Sequence, residues 1–225
     1  MRRVPVRPIS NHTAPPRIEV LDLCDLRFRA LLPASEWDRL PAAIRRRFSK
    51  RLAGGDTAVY AGVIDTMNSS RIGRFVAQVF RLIGAPLPLH IDTGVASVVT
   101  VTEDMTTGGQ VWTRLYAHRS GFPQIIQSSK RFTGPTGLEE YIGFGIAMAL
   151  RPKASETALI FESAGYFLRL GGWRVRLPAF VSPGHVTVTH AYVTEHSFRF
   201  TLSLDHPLLG AMIEQSGVFQ EAKVQ

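Results

Sequence analysis

From Gly94 onward the chain is a succession of short apolar-alternating stretches separated by turn residues, with no helical period among them. The stretches are Val95–Glu103, Gln110–His118, Pro123–Phe132, Leu138–Leu150, Ala158–Leu170, Trp173–Leu177, His185–Thr194, Ser197–Leu204 and Leu209–Phe219. Gly108-Gly109, Gly134-Pro135 and Gly171-Gly172 mark turns, and Glu195-His196 marks a weaker one. Connections this short rule out parallel neighbours, which need a crossover of about a dozen residues or more, so the segments must form an antiparallel meander. With Thr57–Met67 as a first strand, the sheet is too large to stay flat. The expected fold class is α+β: a large curled antiparallel β-meander, half-barrel or barrel, of about nine to ten strands, with two or three N-terminal helices packed on it.

Those helices have their own signals. Leu26, Phe28, Leu31 and Leu32 suggest a short helix ending before Pro33. Ser35–Ala53 reads as a second helix: Ser35 and Asp38 form a capping arrangement, Pro41 suits a first turn, and Leu40, Ile44, Phe48 and Leu52 recur every four residues before Gly54-Gly55. After Asn68-Ser69-Ser70 comes the clearest amphipathic pattern, with Ile72, Phe75, Val76, Val79, Phe80 and Ile83 on one stripe. Arg71, Arg74, Gln78 and Arg81 lie away from it, and Gly84 and Pro86 end the helix. The stripe is expected to lie on the sheet.

A chain of 225 residues without a linker-like interruption fits one domain, 19–225, after a basic, proline-rich tail, 1–18, whose composition predicts disorder. The net charge of +8 is local. Arg2, Arg3, Arg7 and Arg17 stand without an acid, and Ser35–Ala53 supplies the other +4, so the remainder is near neutral. No apolar run approaches the ~18 residues needed to cross a bilayer, and the N-terminus lacks the continuous apolar segment of a secretory signal. With a single cysteine, Cys24, no intramolecular disulfide is possible, and a cytoplasmic location is the expectation.

Leu138–Leu150, LEEYIGFGIAMAL, has two unlike faces when read as one strand. Glu140, Ile142, Phe144, Ile146, Met148 and Leu150 share one; Tyr141, Gly143, Gly145, Ala147 and Ala149 share the other. Large apolar groups want a core. The small-residue face implies a close approach by a ligand or another element.

Function is less legible. On Gln110–His118, alternation places Trp112, Arg114, Tyr116 and His118 on one face. An arginine between aromatic rings can bind a carboxylate or another anion, because its paired donors meet the anion while the rings exclude water. A buried Arg114 needs a partner, and Glu139 or Glu140 is the natural one. Glu162, on the same face as Tyr166 in an unbroken strand, can join that network. The plainer reading is a structural ion pair, or an outward amphipathic face. The candidate ligand-binding set is Trp112, Arg114, Tyr116, Glu140, Gly143, Gly145 and Glu162, with the small-residue face leaving space in a curled sheet.

No catalytic motif is recognised, and neither cofactor nor metal is expected. His185, His190, His196 and His206 do not fall at zinc-ligand spacings, and Gly143–Met148 does not open a helix as a phosphate loop must. Phe161–Gly165 lacks the first glycine of a nucleophile elbow, and Cys24 has no evident histidine partner. The arginines at 45–47 suit a solvated helix face better than a nucleic-acid platform, which would carry repeated stacking aromatics.

Several passages together resemble a bacterial family, domain of unknown function 4166. They are Trp112-Thr113-Arg114, Gln127-Ser128-Ser129, Leu138-Glu139-Glu140 leading to Gly143, the run from Gly172 to Leu177-Pro178, and Phe198-Arg199-Phe200 followed by His206–Gly210. With Leu40-Pro41 and Ile83–Pro86, the likeness spans roughly residues 26 to 220. The chain departs from the family's usual pattern at Phe48, in place of a histidine, at His190, in place of an acid, and at Gln215-Ser216, in place of a Tyr-Arg pair. The resemblance implies free-standing domains or extensions behind an oxidoreductase-like nucleotide-binding domain. Three functions stay open: binding of a hydrophobic or lipid-like small molecule in the sheet's cavity, an enzyme or accessory subunit beside a separate nicotinamide-dependent oxidoreductase, and a membrane-surface or nucleic-acid adaptor using the tail and basic helix.

Overall fold

Pro41 cuts the expected second helix in two. Leu40, the residue before it, is extended at ψ 143°, because the proline ring disfavours helical backbone there. The computed structural model describes residues 24–82, 87–178 and 181–222, which open with α1 (Arg27–Ala30), α2 (Ala34–Arg39) and α3 (Ala42–Phe48). The tail 1–18 and the stripe residue Ile83 lie outside the described residues.

β1 (Ala58–Ser69) leads into α4 (Arg71–Leu82), where Ser70 Oγ accepts a 3.0 Å hydrogen bond from the Gly73 amide as an N-cap. Seven strands follow: β2 (Val95–Asp104), β3 (Gly109–Tyr116), β4 (Gln124–Arg131), β5 (Glu139–Gly143), β6 (Ile146–Ala154), β7 (Ala158–Leu170) and β8 (Trp173–Arg176). The last three are β9 (His185–Tyr192), β10 (Ser197–His206) and β11 (Gly210–Glu221). Neighbours pair antiparallel, and β6 pairs with β7, closing ten strands into a barrel. β8 is the extra strand. β7 pairs with β9 only from Ala158 to Glu162, and its far half pairs with β8 instead.

Alternating strand direction sorts the connections between two ends. α1–α3 cap the lower end, where Arg27 Nη1 donates to the Gly108 carbonyl in the β2–β3 turn at 2.5 Å and Arg46 pairs with Glu195 in the β9–β10 turn at 2.8 Å. Phe28 and Phe48 enter the barrel there, 5.2 Å apart and edge-on. With Phe161, Trp112, His190 and Phe198 they fill the lower half of the interior, which is therefore solid.

Two expectations about faces are corrected. α4 rests on β11 through its small residues, and only part of its apolar stripe, Val76 and Phe80, turns inward. A Cβ on Gly73 would stand 2.1 Å from the Met212 carbonyl oxygen, and Ala77 is fully buried. Ile72, Phe75 and Val79 face solvent on another side of the helix, at about 100° per residue. The close backbone approach that glycine permits sets how the helix sits.

The second correction concerns Leu138–Leu150, which is a hairpin and not one strand. Gly143 (φ 114°) and Gly145 (φ 79°) take left-handed conformations to turn β5 into β6, so neither lines the interior. Ala147 and Ala149 point outward, opposite Tyr141 and Glu139. Glu139, Ala149 and Gly165 form one outward row, and the small side chains let Arg169 reach Glu139 at 3.2 Å and Arg174 pair with it from the β7–β8 hairpin. The small-residue face thus receives arginines on the outer wall. No helix among the described residues is long and apolar enough to cross a membrane.

Candidate functional site

β3 carries no bulge, so its alternation is regular. Gln110, Trp112, Arg114 and Tyr116 are all buried and point inward. β4 and β5 bring Ser128, Lys130 and Glu140 to the same inner wall, with Lys130 directly opposite Glu140 in the register. Lys130 Nζ donates to Glu140 Oε2 at 3.0 Å, Ser128 Oγ to Glu140 Oε1 at 2.6 Å, and Arg114 Nη2 to Oε1 at 3.5 Å. Arg114 Nη1 also donates to Ser128 Oγ at 3.0 Å. The Lys130 ammonium lies 5.0 Å from the centre of the Trp112 ring.

Burial and charge oppose each other at Glu140. Burial pushes its carboxyl up, but Lys130 and Arg114, helped by the Ser128 hydroxyl, outweigh it and bring the group down to about 2. Lys130 moves down from the usual lysine range because burial disfavours the ammonium more than Glu140 supports it. Two buried cations share one carboxylate, so the cluster carries an unmatched positive charge.

Above the cluster lies a cavity of about 70 Å³. Arg114, Glu140, Tyr116 and Tyr166 contribute its polar wall, Met148 and Leu202 are among its apolar lining, and Phe80, Leu87, Pro88 and Pro183 surround the upper mouth. The Tyr166 hydroxyl is buried without a hydrogen-bond partner among the described residues. Burial pushes that phenol up, so it stays a donor. Beyond Tyr166, where β7 leaves β9, an open groove of about 430 Å³ lies between β7 and the segment that follows β8.

Of the expected set, Trp112, Arg114, Tyr116 and Glu140 converge inside. Trp112 sits below the cavity, and Gly143 and Gly145 are in a turn. Glu162 is on the outer wall, 2.6 Å from Lys153 Nζ. A bulge explains this: Ala149 faces Gly165 but Leu150 faces Ser163, so Ala164 is an extra residue that turns Tyr166 inward while Glu162 points out. Glu139 is likewise outside, and Glu140 is the partner of Arg114. His118, beyond the end of β3, pairs with Asp92 instead of entering the cavity.

Sequence reasoning passed over Lys130 as a site residue. Its signal was the inward row Ile126, Ser128, Lys130, readable once β3 fixes the face of β4. His190 is fully buried among Phe48 (5.1 Å), Phe198 and Trp112, with Nδ1 unpartnered. Burial, and then the positive charge of Arg47, Lys130 and Arg114, hold it well below its ordinary range and therefore neutral. Among the described residues no three His, Cys, Asp or Glu side chains gather as metal ligands.

These features define a class: closed antiparallel barrels, plugged by helices at one end, with a charged cluster under a small cavity near the other. The chain belongs to the family described as domain of unknown function (DUF4166), whose family model matches residues 40–219. A comparison with curated proteins finds no match.

Proposed function

We propose that the upper barrel binds a hydrophobic or lipid-like small molecule by its carboxylate. The observation that carries this reading is the charge imbalance beneath the cavity, where Arg114 and Lys130 share Glu140 alone. A net positive charge in an apolar interior favours an incoming anion, and Arg114 lines the cavity where that anion would arrive. The Tyr166 hydroxyl on the same wall supplies another donor.

The cavity sets the binding mode. At about 70 Å³ it is far smaller than the ~300–1,000 Å³ that encloses a drug-sized molecule, so the acid end is held inside while the chain leaves through the mouth between Phe80 and Pro183. Titration calorimetry with dodecanoate tests the reading. Saturable binding that is weakened at least about tenfold in Arg114→Met is expected; no binding to the wild type, together with no small molecule retained in native mass spectrometry, overturns it.

A further inference from the structure

The exposed apolar side chains are concentrated at one end. Four separate upper connections present them at their tips: Phe75 on α4 is 69% exposed, Phe122 in the β3–β4 loop 94%, Phe144 in the β5–β6 turn 73%, and Leu208 in the β10–β11 turn 86%. The β7–β8 turn adds Trp173 at 80%. At the lower end the exposed large apolar side chains among the described residues are Leu26, Met105, Tyr192 and Val193. Scattered surface apolar groups need no explanation, but a crown of large ones on five connections around one opening does.

We propose that this crown docks on an anionic lipid bilayer, with α4 lying in the interface. Three observations favour a bilayer over a folded partner. First, the side chains project from a helix face and from separate hairpin ends and loops rather than forming one groove or flat patch, which suits insertion into a deformable medium. Second, α4 has the composition of an interfacial helix. Its twelve residues include Arg71, Arg74 and Arg81 and no acid, and Ile72, Phe75 and Val79 of its apolar face are turned to solvent while Val76 and Phe80 hold it to the barrel. The arginines complement anionic headgroups while Phe75, Ile72 and Val79 enter the acyl boundary.

Third, Phe144 holds φ 47°, a left-handed backbone that asparagine or glycine adopts far more readily, yet it presents an exposed phenyl ring. Trp173 at the same end suits the headgroup level, where amphipathic rings collect. The basic α3, by contrast, is committed to the barrel, since Arg46 pairs with Glu195 and the Arg47 guanidinium lies 3.6 Å from the centre of the Phe198 ring, while Arg45 pairs with Asp38 of α2.

The surface is continuous with the cavity. Phe80, on the same helix, lines the mouth, so docking would set the opening against the bilayer and let a lipid-like acid pass between the two without crossing water. That transfer step rests on the carboxylate-binding reading; the docking itself does not.

The test is co-sedimentation of the full chain with vesicles of equimolar phosphatidylcholine and phosphatidylserine, and with phosphatidylcholine alone. Expected are association with the anionic vesicles, a blue shift of Trp173 emission on binding, and at least a tenfold loss in Phe75→Asp/Phe122→Asp. Phe144→Asp, at a position where aspartate relieves the backbone, is a second variant that should also weaken association. Arg114→Met should sediment as the wild type does. A wild type that binds vesicles but not dodecanoate removes only the cavity reading, and one that binds dodecanoate but not vesicles removes only this one. No association with either vesicle, or association indifferent to these variants, overturns the proposal. So does a self-associated species in sedimentation velocity that the same variants abolish, which would make the crown a contact between two copies.

Discussion

Lys130 and Glu140 face each other across the β4–β5 ladder, 3.0 Å apart and almost wholly buried, while Arg114 approaches the same carboxylate from β3. The triad is asymmetric. Removing Lys130 leaves Arg114 neutralised by Glu140, whereas removing the charge of Glu140 leaves two like cations in an apolar interior. Glu140→Gln should therefore cost about 3–5 kcal/mol, and Lys130→Met within about 1 kcal/mol of nothing. Urea denaturation at neutral pH measures both. Equal losses would show that Lys130, not Arg114, balances the carboxylate.

Two buried groups make stability fall on the acid side, in different windows. His190 has a folded value well below its ordinary 6.5, so only the unfolded chain takes up a proton as pH drops through that range. Its contribution is complete above about 6.5 and declines below. Glu140, down to about 2 from an ordinary 4.5, contributes fully above about 4.5 and loses that contribution as pH falls from there towards about 2. His190→Leu removes the first window and an unpartnered Nδ1. Its stability should be flat from pH 7 to about 5 where the wild type declines, as read from denaturation midpoints across pH.

The ligand reading predicts a graded response at the cavity wall. Arg114→Met removes the charge-assisted donor and should weaken dodecanoate binding by about 10- to 100-fold, while Tyr166→Phe deletes one neutral donor and should weaken it by about 2- to 10-fold. Calorimetric titration of the three proteins reads the order. A Tyr166→Phe effect larger than that of Arg114→Met would place the carboxylate away from the guanidinium.

The legible parts of the sequence were those where one period ran unbroken. β3 keeps a two-residue alternation throughout, so the shared face of Trp112, Arg114 and Tyr116 follows from the sequence alone, although its inward direction does not, and the short turns made the antiparallel order readable. Legibility failed where a single residue altered the count. Ala164 bulges and reverses the face of Glu162 relative to Tyr166, Gly143 and Gly145 spend their freedom on a turn, and Pro41 ends a helix that side-chain spacing alone would continue. Lys130 was obscured for another reason: β4 shows its face only through its register with β3, a non-local fact. Closure through β6 and β7 is non-local in the same sense.

Gly73 decides where α4 lies, and so how the crown is presented. Its Cα faces the Met212 carbonyl so closely that a methyl group at 2.1 Å from that oxygen cannot be accommodated, and the nearest atoms are backbone, which cannot swing aside. Gly73→Ala pits two effects against each other. Alanine favours the helix by about 1 kcal/mol, but the clash lifts the helix from β11 at a cost of about 1–3 kcal/mol. The clash should win locally. Amides of α4 and of the adjoining end of β11 should exchange faster, while β3 to β6, which α4 does not support, keep wild-type protection in hydrogen-exchange mass spectrometry. Unchanged protection of α4 would mean that the helix is held by Val76, Ala77 and Phe80 alone.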